Sequence, residues 1–405
     1  MMKILLRFLI VISLAFFVVS CDKSDTPLPN TDKADITLLI YMAADNSLRD
    51  LALGYGTLLG DYKEIIEGVA LTNDANFNLF IYMDTGAAPR LVKVSQKNGK
   101  AVEEIIKTYE SRNSVGVEET KEVFRDVFDN VAFQAEHYGL VYWSHGDAWT
   151  PYPLPSSRWV GQDVSSGDNR MNTDDFCEVL KDAPHFDFIL GDFCFGLSIE
   201  FVYEIRNYTD YFIGSPTEVP GPGAQYDVLV PIMLASECSA VDIAQSYFDT
   251  YNALYNDGIG NSNEKWTAGV SICAIKTDAL ENLASTTKQL WNKKGINKLR
   301  ASVFDYDKRD KSHVGYYDMV GIAEHLTDKV NFELWKQAYD ESVVYWGTTP
   351  KNFSLSAGMF SMQNSNGVSH YIPKVISSSV TSTPMDKAYR LTSWYKDTGL
   401  SDLGW

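Results

Sequence analysis

Basic residues, cysteine and histidine are all scarce in this chain, and each scarcity excludes something. Thirty-five Lys and Arg stand against 53 Asp and Glu, a formal net charge of −18. That balance argues against a nucleic-acid partner, because phosphate binding needs a basic face. It fits a solvated acidic surface, and also affinity for cationic substrates. Only five cysteines occur in 405 residues, and their positions are unlike a small disulfide framework. Cys177 sits in a helical pattern and Cys273 in an apolar run, so buried free thiols are expected rather than bridges. Among the six histidines, His137, His185, His313, His325 and His370 show no metal-ligand spacing. They read as surface or satisfied structural residues. No phosphate-binding glycine loop, serine-hydrolase elbow or internal repeat is present.

What is present begins with an apolar stretch over residues 8–19, relieved only by Ser13 and preceded by Lys3 and Arg7. It falls short of the roughly 20 residues a membrane span needs but suits a signal peptide. The stretch ends in Val18-Val19-Ser20-Cys21, which resembles a bacterial lipobox. Cys21 is therefore expected to become the lipidated first residue of an exported, membrane-anchored protein at the outer membrane or cell surface. A polar, proline-containing tether follows over residues 22–35.

Five short segments rich in β-branched and aromatic residues read as buried parallel strands: 36–42, 77–83, 140–143, 186–190 and 211–214. Between them, 48–67, 117–137, 172–182 and 197–208 carry apolar residues at helical spacing. This alternation predicts an α/β fold, a mostly parallel sheet with helices on both faces. Pro151, Pro153 and Pro155 make 146–171 a long loop, and a second glycine-proline loop covers 216–225. Beyond about residue 260 a strand-like 268–275 precedes helical patterns at 278–291, 296–304, 317–325 and 331–344. A β-like tail over 353–371 follows. The expected division is a sheet domain over 36–260 and a mainly helical C-terminal subdomain over 261–405.

Two of these strands end in reactive side chains. Leu140-Val141-Tyr142-Trp143-Ser144-His145-Gly146 delivers an imidazole, and Phe188-Ile189-Leu190-Gly191-Asp192-Phe193-Cys194-Phe195-Gly196 a thiol. In an open α/β sheet, ligands bind beyond the carboxyl ends of the strands, where His145 and Cys194 could form a thiolate–imidazolium pair. An imidazolium and the helix expected from Leu197 would each lower the thiol pKa. The backbone N–H of Gly146 could face an oxyanion. On these residues alone, a Cys-His dyad competes with a buried structural cysteine and an unrelated surface histidine.

The surrounding blocks resemble those of the clostripain family, cysteine endopeptidases with a caspase-like α/β fold. Trp143-Ser144-His145-Gly146-Asp147-Ala148-Trp149 is similar to the family's His block. Gly191-Asp192-Phe193-Cys194-Phe195-Gly196-Leu197-Ser198-Ile199-Glu200 is similar to its Cys block. Tyr41-Met42-Ala43-Ala44-Asp45-Asn46-Ser47-Leu48 resembles the first-strand motif, and Glu218-Val219-Pro220-Gly221-Pro222-Gly223 the later loop. The resemblance implies Cys194 as nucleophile, His145 as general base and acid, and Asp192 as a specificity-pocket carboxylate for a substrate Arg or Lys. It places Asp45 and Asn46 at the same crevice. It implies protein or peptide substrates, a monomer, and no required cofactor. Calcium is possible at Asp163, Asp168, Asp174 and Asp175, although this run lacks the glycine and terminal Glu of an EF-hand.

Relatives activated by cleavage after the catalytic His make Arg158 the self-cleavage candidate, with Arg170 second. Two departures stand out. Phe193 replaces a small residue and is expected to narrow or reroute the pocket. Asp147-Ala148 replaces glycines, and Asp147 is expected to set a carboxylate near the imidazole and raise its pKa. The competing reading is a non-catalytic surface lipoprotein that binds peptides or glycans, and a third is a cysteine hydrolase of non-peptide amides or esters.

Overall fold

The computed structural model describes residues 33–73, 76–147, 149–150, 159–293, 298–376, 379 and 381–405. Cys21, most of the tether and Arg158 lie outside the described residues.

A nine-stranded sheet forms the centre. In chain order its strands are β1 (Ala34–Ala43), β2 (Phe77–Asp84), β3 (Arg90–Lys97), β4 (Lys100–Thr108), β5 (Ala135–Trp143), β6 (Phe186–Asp192), β7 (Thr209–Gly214), β8 (Ser271–Lys276) and β9 (Val343–Thr348). Across the sheet they run β9-β8-β7-β6-β5-β1-β2-β3-β4. The inner run from β7 to β2 is parallel throughout and consists of the five expected strands. The outer strands on both sides pair antiparallel.

Strand alternation divides the core between the two faces of the sheet. Along β1, Leu39, Tyr41 and Ala43 join one apolar cluster, while Leu38, Ile40 and Met42 join the other. The first cluster is covered by α2 (Val117–Phe128), α3 (Thr173–Leu180) and α4 (Ile199–Ile205), and also by helices from the C-terminal third. The second is covered by α1 (Asp61–Leu71), α5 (Tyr226–Met233) and α6 (Ala240–Leu254). Tyr41 stacks on Tyr82 at 4.5 Å and on Tyr142 at 5.4 Å, its register partners on β2 and β5. This aromatic ladder ties the three central strands together.

Several expectations need correction. The helix read over 48–67 is a short helix, Arg49–Leu53, then a small hairpin and α1, because glycines at 54, 56 and 60 interrupt it. The helix read over 117–137 stops at Phe128, and β5 already begins at Ala135. The β3–β4 hairpin was not expected. Its turn, Asn98-Gly99, has φ of 53° and 72°, a hairpin signal visible in the sequence. β9 was hidden in the tail of the helical pattern over 331–344. The boundary expected near residue 260 does not separate two bodies. Lys33–Trp405 is one compact unit, and β8 and β9 complete the same sheet.

Candidate active site

β2 lies on one side of β1 and β5 on the other, so the chain direction across the sheet reverses between β1 and β5. That switch point is where an open sheet leaves a crevice at its carboxyl edge. Trp143 and Asp192 are register partners at the ends of β5 and β6. His145 and Cys194 each stand two residues beyond that pair. A cleft of about 650 Å³ opens there, lined by His145, Gly146, Asp192 and Cys194 together. Its other walls include Arg170, Glu218 and Val219, and an apolar side made by Leu48, Leu51, Trp266, Phe353 and Leu355.

The His145 ring is held from the β1 side, where its Nε2 lies 2.8 Å from Ser47 Oγ. Burial pushes the imidazole pKa down, and the nearby Arg170 guanidinium pushes it further. Arg170 lies on the short strand Asn169–Met171 with its guanidinium 3.3 Å over the Trp159 ring. It therefore stands as a cation in the cleft wall. Asp45 and Asn46 brace the loop and are not among the cleft-lining residues. Asp45 accepts from Ser165 N–H at 3.1 Å and Oγ at 2.9 Å. The Asn46 amide donates to the Ala43 and Gln162 carbonyls at 2.9 and 3.0 Å, and its Oδ1 accepts from Leu48 N–H. Ser47, immediately after them, is the residue that reaches the imidazole.

Cys194 is a half-buried free thiol, as Cys177 and Cys238 are, while Cys273 is fully buried. Its pKa is pushed up to about 12, first by burial and next by Glu218, with Asp147 and Asp192 adding to it. A hydrogen bond from the Val219 backbone acts the other way. This corrects the expectation of a depressed thiol. The helix that follows begins at Ile199, and Ser198 caps its N-terminus by accepting from Phe201 N–H.

Asp192 lines the cleft and is buried, accepting from Ala224 N–H at 3.0 Å, Tyr226 OH at 2.8 Å and Tyr247 OH at 3.3 Å. Burial raises its pKa despite those donors. A second buried carboxylate, Asp61, accepts from Trp143 Nε1 at 2.7 Å. Between them runs Gly223 at φ +68°, where a Cβ would meet Asp192 Oδ2 at 3.1 Å and Asp61 Oδ2 at 3.2 Å. Only glycine fits this approach without strain.

Phe193 does not narrow the cleft. Alternation turns it to the opposite face from Asp192, where it is buried against Tyr142, Phe201 and Phe212. Its ring also fills the space beside Gly146, where a Cβ would overlap it. Gly146 bridges to Val160 through hydrogen bonds made by its neighbours, Asp147 N–H to the Trp159 carbonyl and Gly161 N–H to the His145 carbonyl. That pairing does not use the Gly146 N–H.

Asp147 does not serve the imidazole either. Its buried carboxylate pairs with Arg309 at 3.0 Å and accepts from Tyr316 OH at 2.7 Å. The four aspartates considered for calcium have separate local places. Asp163 accepts from Ser114 N–H and Ser166 N–H, Asp168 pairs with Arg170, Asp174 stands in the first turn of α3, and Asp175 closes the capping box of that helix. Among the described residues no three His, Cys, Asp or Glu side chains converge as a metal site. Sequence reasoning missed Ser47, Asp61, Arg309 and Tyr316. Only Ser47 carried a signal, its place in the first-strand motif.

The chain matches the clostripain family over residues 40–400. It is similar to a secreted C11 cysteine protease from Bacteroides thetaiotaomicron, solved with an irreversible peptide inhibitor. The two are 40% identical with a TM-score of 0.82, over 91% of this chain and 99% of that one. An inactive zymogen C11 protease from Parabacteroides distasonis is 27% identical with a TM-score of 0.73, over 91% and 99%. A B. fragilis cysteine protease is 40% identical with a TM-score of 0.55, over 61% of this chain and 99% of that one. Among curated proteins none matches.

Proposed function

The chain belongs to the clostripain family of cysteine peptidases, and on that footing we propose that it is an exported, lipid-anchored endopeptidase that cleaves after Arg or Lys through Cys194 and His145. As a member it is a cysteine peptidase of peptides or proteins whose chemistry needs no cofactor. The observation that carries the finer reading is the single cleft lined by His145, Gly146, Asp192 and Cys194 at the carboxyl ends of adjacent parallel strands.

His145 Nε2 stands 2.8 Å from Ser47 Oγ, and the imidazole is the base for the thiol proton. As Cys194 Sγ bonds to the scissile carbonyl carbon, that proton passes to His145, and the oxyanion turns toward the Gly146 N–H. Collapse breaks the C–N bond as His145 protonates the departing amine. Water, deprotonated by the same imidazole, then hydrolyses the thioester. A substrate guanidinium or ammonium beside Asp192 offsets the negative field of Asp192 and Glu218 on the sulfur. The group that selects the substrate thereby also favours thiolate formation as it binds.

Export and anchoring rest on the signal segment and Cys21, with a relative described as secreted. Activation by cleavage after Arg158 rests on the loop following His145, with another relative described as a zymogen. The test is turnover of fluorogenic Arg, Lys, Asp and Leu peptides by the chain from residue 22, beside Cys194→Ala and with chain integrity followed on gels. Arg and Lys turnover that vanishes in Cys194→Ala is the expected result. Turnover of Asp or Leu peptides alone would remove Asp192 from its role. Processing of Cys194→Ala at the parent's rate would reject self-cleavage.

A further inference from the structure

We infer that Arg309 and Tyr316, from the C-terminal third, are positioning residues that set the His145 turn against the Cys194 turn. This rests on the dyad proposed above. The two residues share an uncommon property, since each touches both turns. The Arg309 guanidinium donates to both oxygens of Asp147, two residues after His145, at 3.0 and 3.4 Å. Its Cζ also lies 4.1 Å over the ring of Phe195, one residue after Cys194. Tyr316 repeats the pattern. Its hydroxyl shares its one hydrogen between the Asp147 carbonyl at 2.8 Å and carboxylate at 2.7 Å, and its ring stacks on Phe195 at 5.0 Å and 21°.

Phe195 makes the bracing necessary. It holds φ +58°, the left-handed region that bulky residues occupy only when their surroundings enforce it. On the backbone side its N–H donates to the Thr217 carbonyl at 2.9 Å. The ring side is held by Arg309 and Tyr316. If that hold is lost, Phe195 relaxes toward ordinary dihedrals, and Cys194 before it leaves its bearing on the imidazole.

The brace is itself rigid. Asp307, buried, accepts Arg309 Nε at 2.5 Å and Val314 N–H at 2.7 Å. The Asp305 carboxylate accepts Tyr316 N–H at 3.2 Å and pairs with His313 at 2.6 Å. Tyr306 N–H closes the loop onto the Tyr316 carbonyl at 2.7 Å. A planar fork that stacks and binds bidentately is what arginine supplies and lysine does not.

Arg309→Lys keeps the positive charge the buried carboxylates require but gives up the stack and the fork. Tyr316→Phe keeps the ring on Phe195 and removes the bond to Asp147. In the full chain, kcat on an Arg or Lys peptide is expected to fall about tenfold in Arg309→Lys and three- to fivefold in Tyr316→Phe, with KM within about twofold. Alkylation of Cys194 by iodoacetamide should slow in parallel. His370→Ala, in the core away from the cleft, is the control for a purely structural loss, which lowers the melting temperature while leaving kcat per folded molecule alone. Values of kcat within twofold of the parent in both variants overturn the inference. So does a loss that tracks only the unfolded fraction, as in the control. If Arg309→Lys fails to fold, Tyr316→Phe decides alone by the same criterion. Turnover surviving in Cys194→Ala would overturn the dyad instead, an outcome distinguishable from failure of the brace.

Discussion

Two imidazoles, in two regions of one molecule, are held in opposite ways. His370 lies in the aromatic core of the C-terminal third, fully buried. Its Nδ1–H donates to the Tyr371 carbonyl at 2.7 Å and its Nε2 accepts Trp394 Nε1–H at 2.8 Å. Both nitrogens are committed, and the ring can only remain neutral. His145 stands at a strand end on the wall of a cleft, with a serine hydroxyl on Nε2. Burial lowers the pKa of both, that of His370 to about 3. A lowered pKa therefore does not mark a catalytic histidine. What separates the two is whether the ring has hydrogen-bonding capacity directed at space a substrate can enter.

Alanine at each position should split activity from stability. His145→Ala is expected to reduce kcat/KM by at least about a thousandfold with little change in the denaturation midpoint. His370→Ala should do the reverse. It leaves a cavity and strands the Trp394 N–H, at a cost of about 3–4 kcal/mol in urea unfolding, with kcat per folded molecule unchanged. Equal activity losses in the two variants would dissolve the contrast.

Asp192 and Phe193 are adjacent in sequence and lie on opposite faces of the sheet, which sharpens the comparison within a single turn. Phe193→Ala is expected to cost about 3–5 kcal/mol of stability and to leave the preference for basic over apolar peptides intact. Asp192→Asn should cost little stability and about a hundredfold in kcat/KM on Arg and Lys peptides. A changed preference in Phe193→Ala would return that ring to the pocket.

These cases also show which parts were legible in sequence. The five parallel strands were readable because continuous apolar runs bounded by turns are the signature of strands buried on both faces. The strand ends then pointed to His145 and Cys194 at one edge of the sheet, where both line the cleft. The side each residue faced was equally readable, since period-two alternation from Asp192 sends Phe193 to the other face, but resemblance to a motif drew attention to it as a pocket residue. The brace was not readable. Arg309 and Tyr316 are more than a hundred positions from the turns they join, and no local pattern encodes a contact of that separation. β4 was lost for a different reason. It is an edge strand, largely exposed, that carries Lys100, Glu103, Glu104 and Lys107, the composition that protects edges and also obscures them.

Acidity distinguishes the two histidines next. A His370 pKa depressed from 6.5 to about 3 means the unfolded chain binds the proton more readily. Its contribution is complete above pH 6.5 and is lost as pH falls toward 3. Glu200, 3.7 Å from that imidazole, is raised by burial to about 8. Its contribution is complete below about 4.5 and is lost as pH rises through 8. Stability should therefore peak in the mildly acidic range, and His370→Ala should flatten the acid side of a chemical-denaturation profile. The kcat/KM profile answers to His145 instead, with an acid limb below 6.5 that His370→Ala does not move. A limb that shifted with His370 would mean the two sites are coupled.

The smallest expected effect tests what makes His145 unlike His370. A single hydroxyl, Ser47 Oγ, stands against the Nε2 of the ring. Ser47→Ala removes a hydrogen bond worth about 1 kcal/mol in orientation, so kcat should fall about fivefold while KM stays put. The backbone of the β1 loop should not respond, because Asp45 and Asn46 brace it independently through Ser165, Ala43 and Gln162. Ser47→Thr, which retains the hydroxyl, should restore most of the rate. If Ser47→Ala is instead as active as the parent, packing alone orients the ring, as it does around His370. The two imidazoles would then differ only in the space they face.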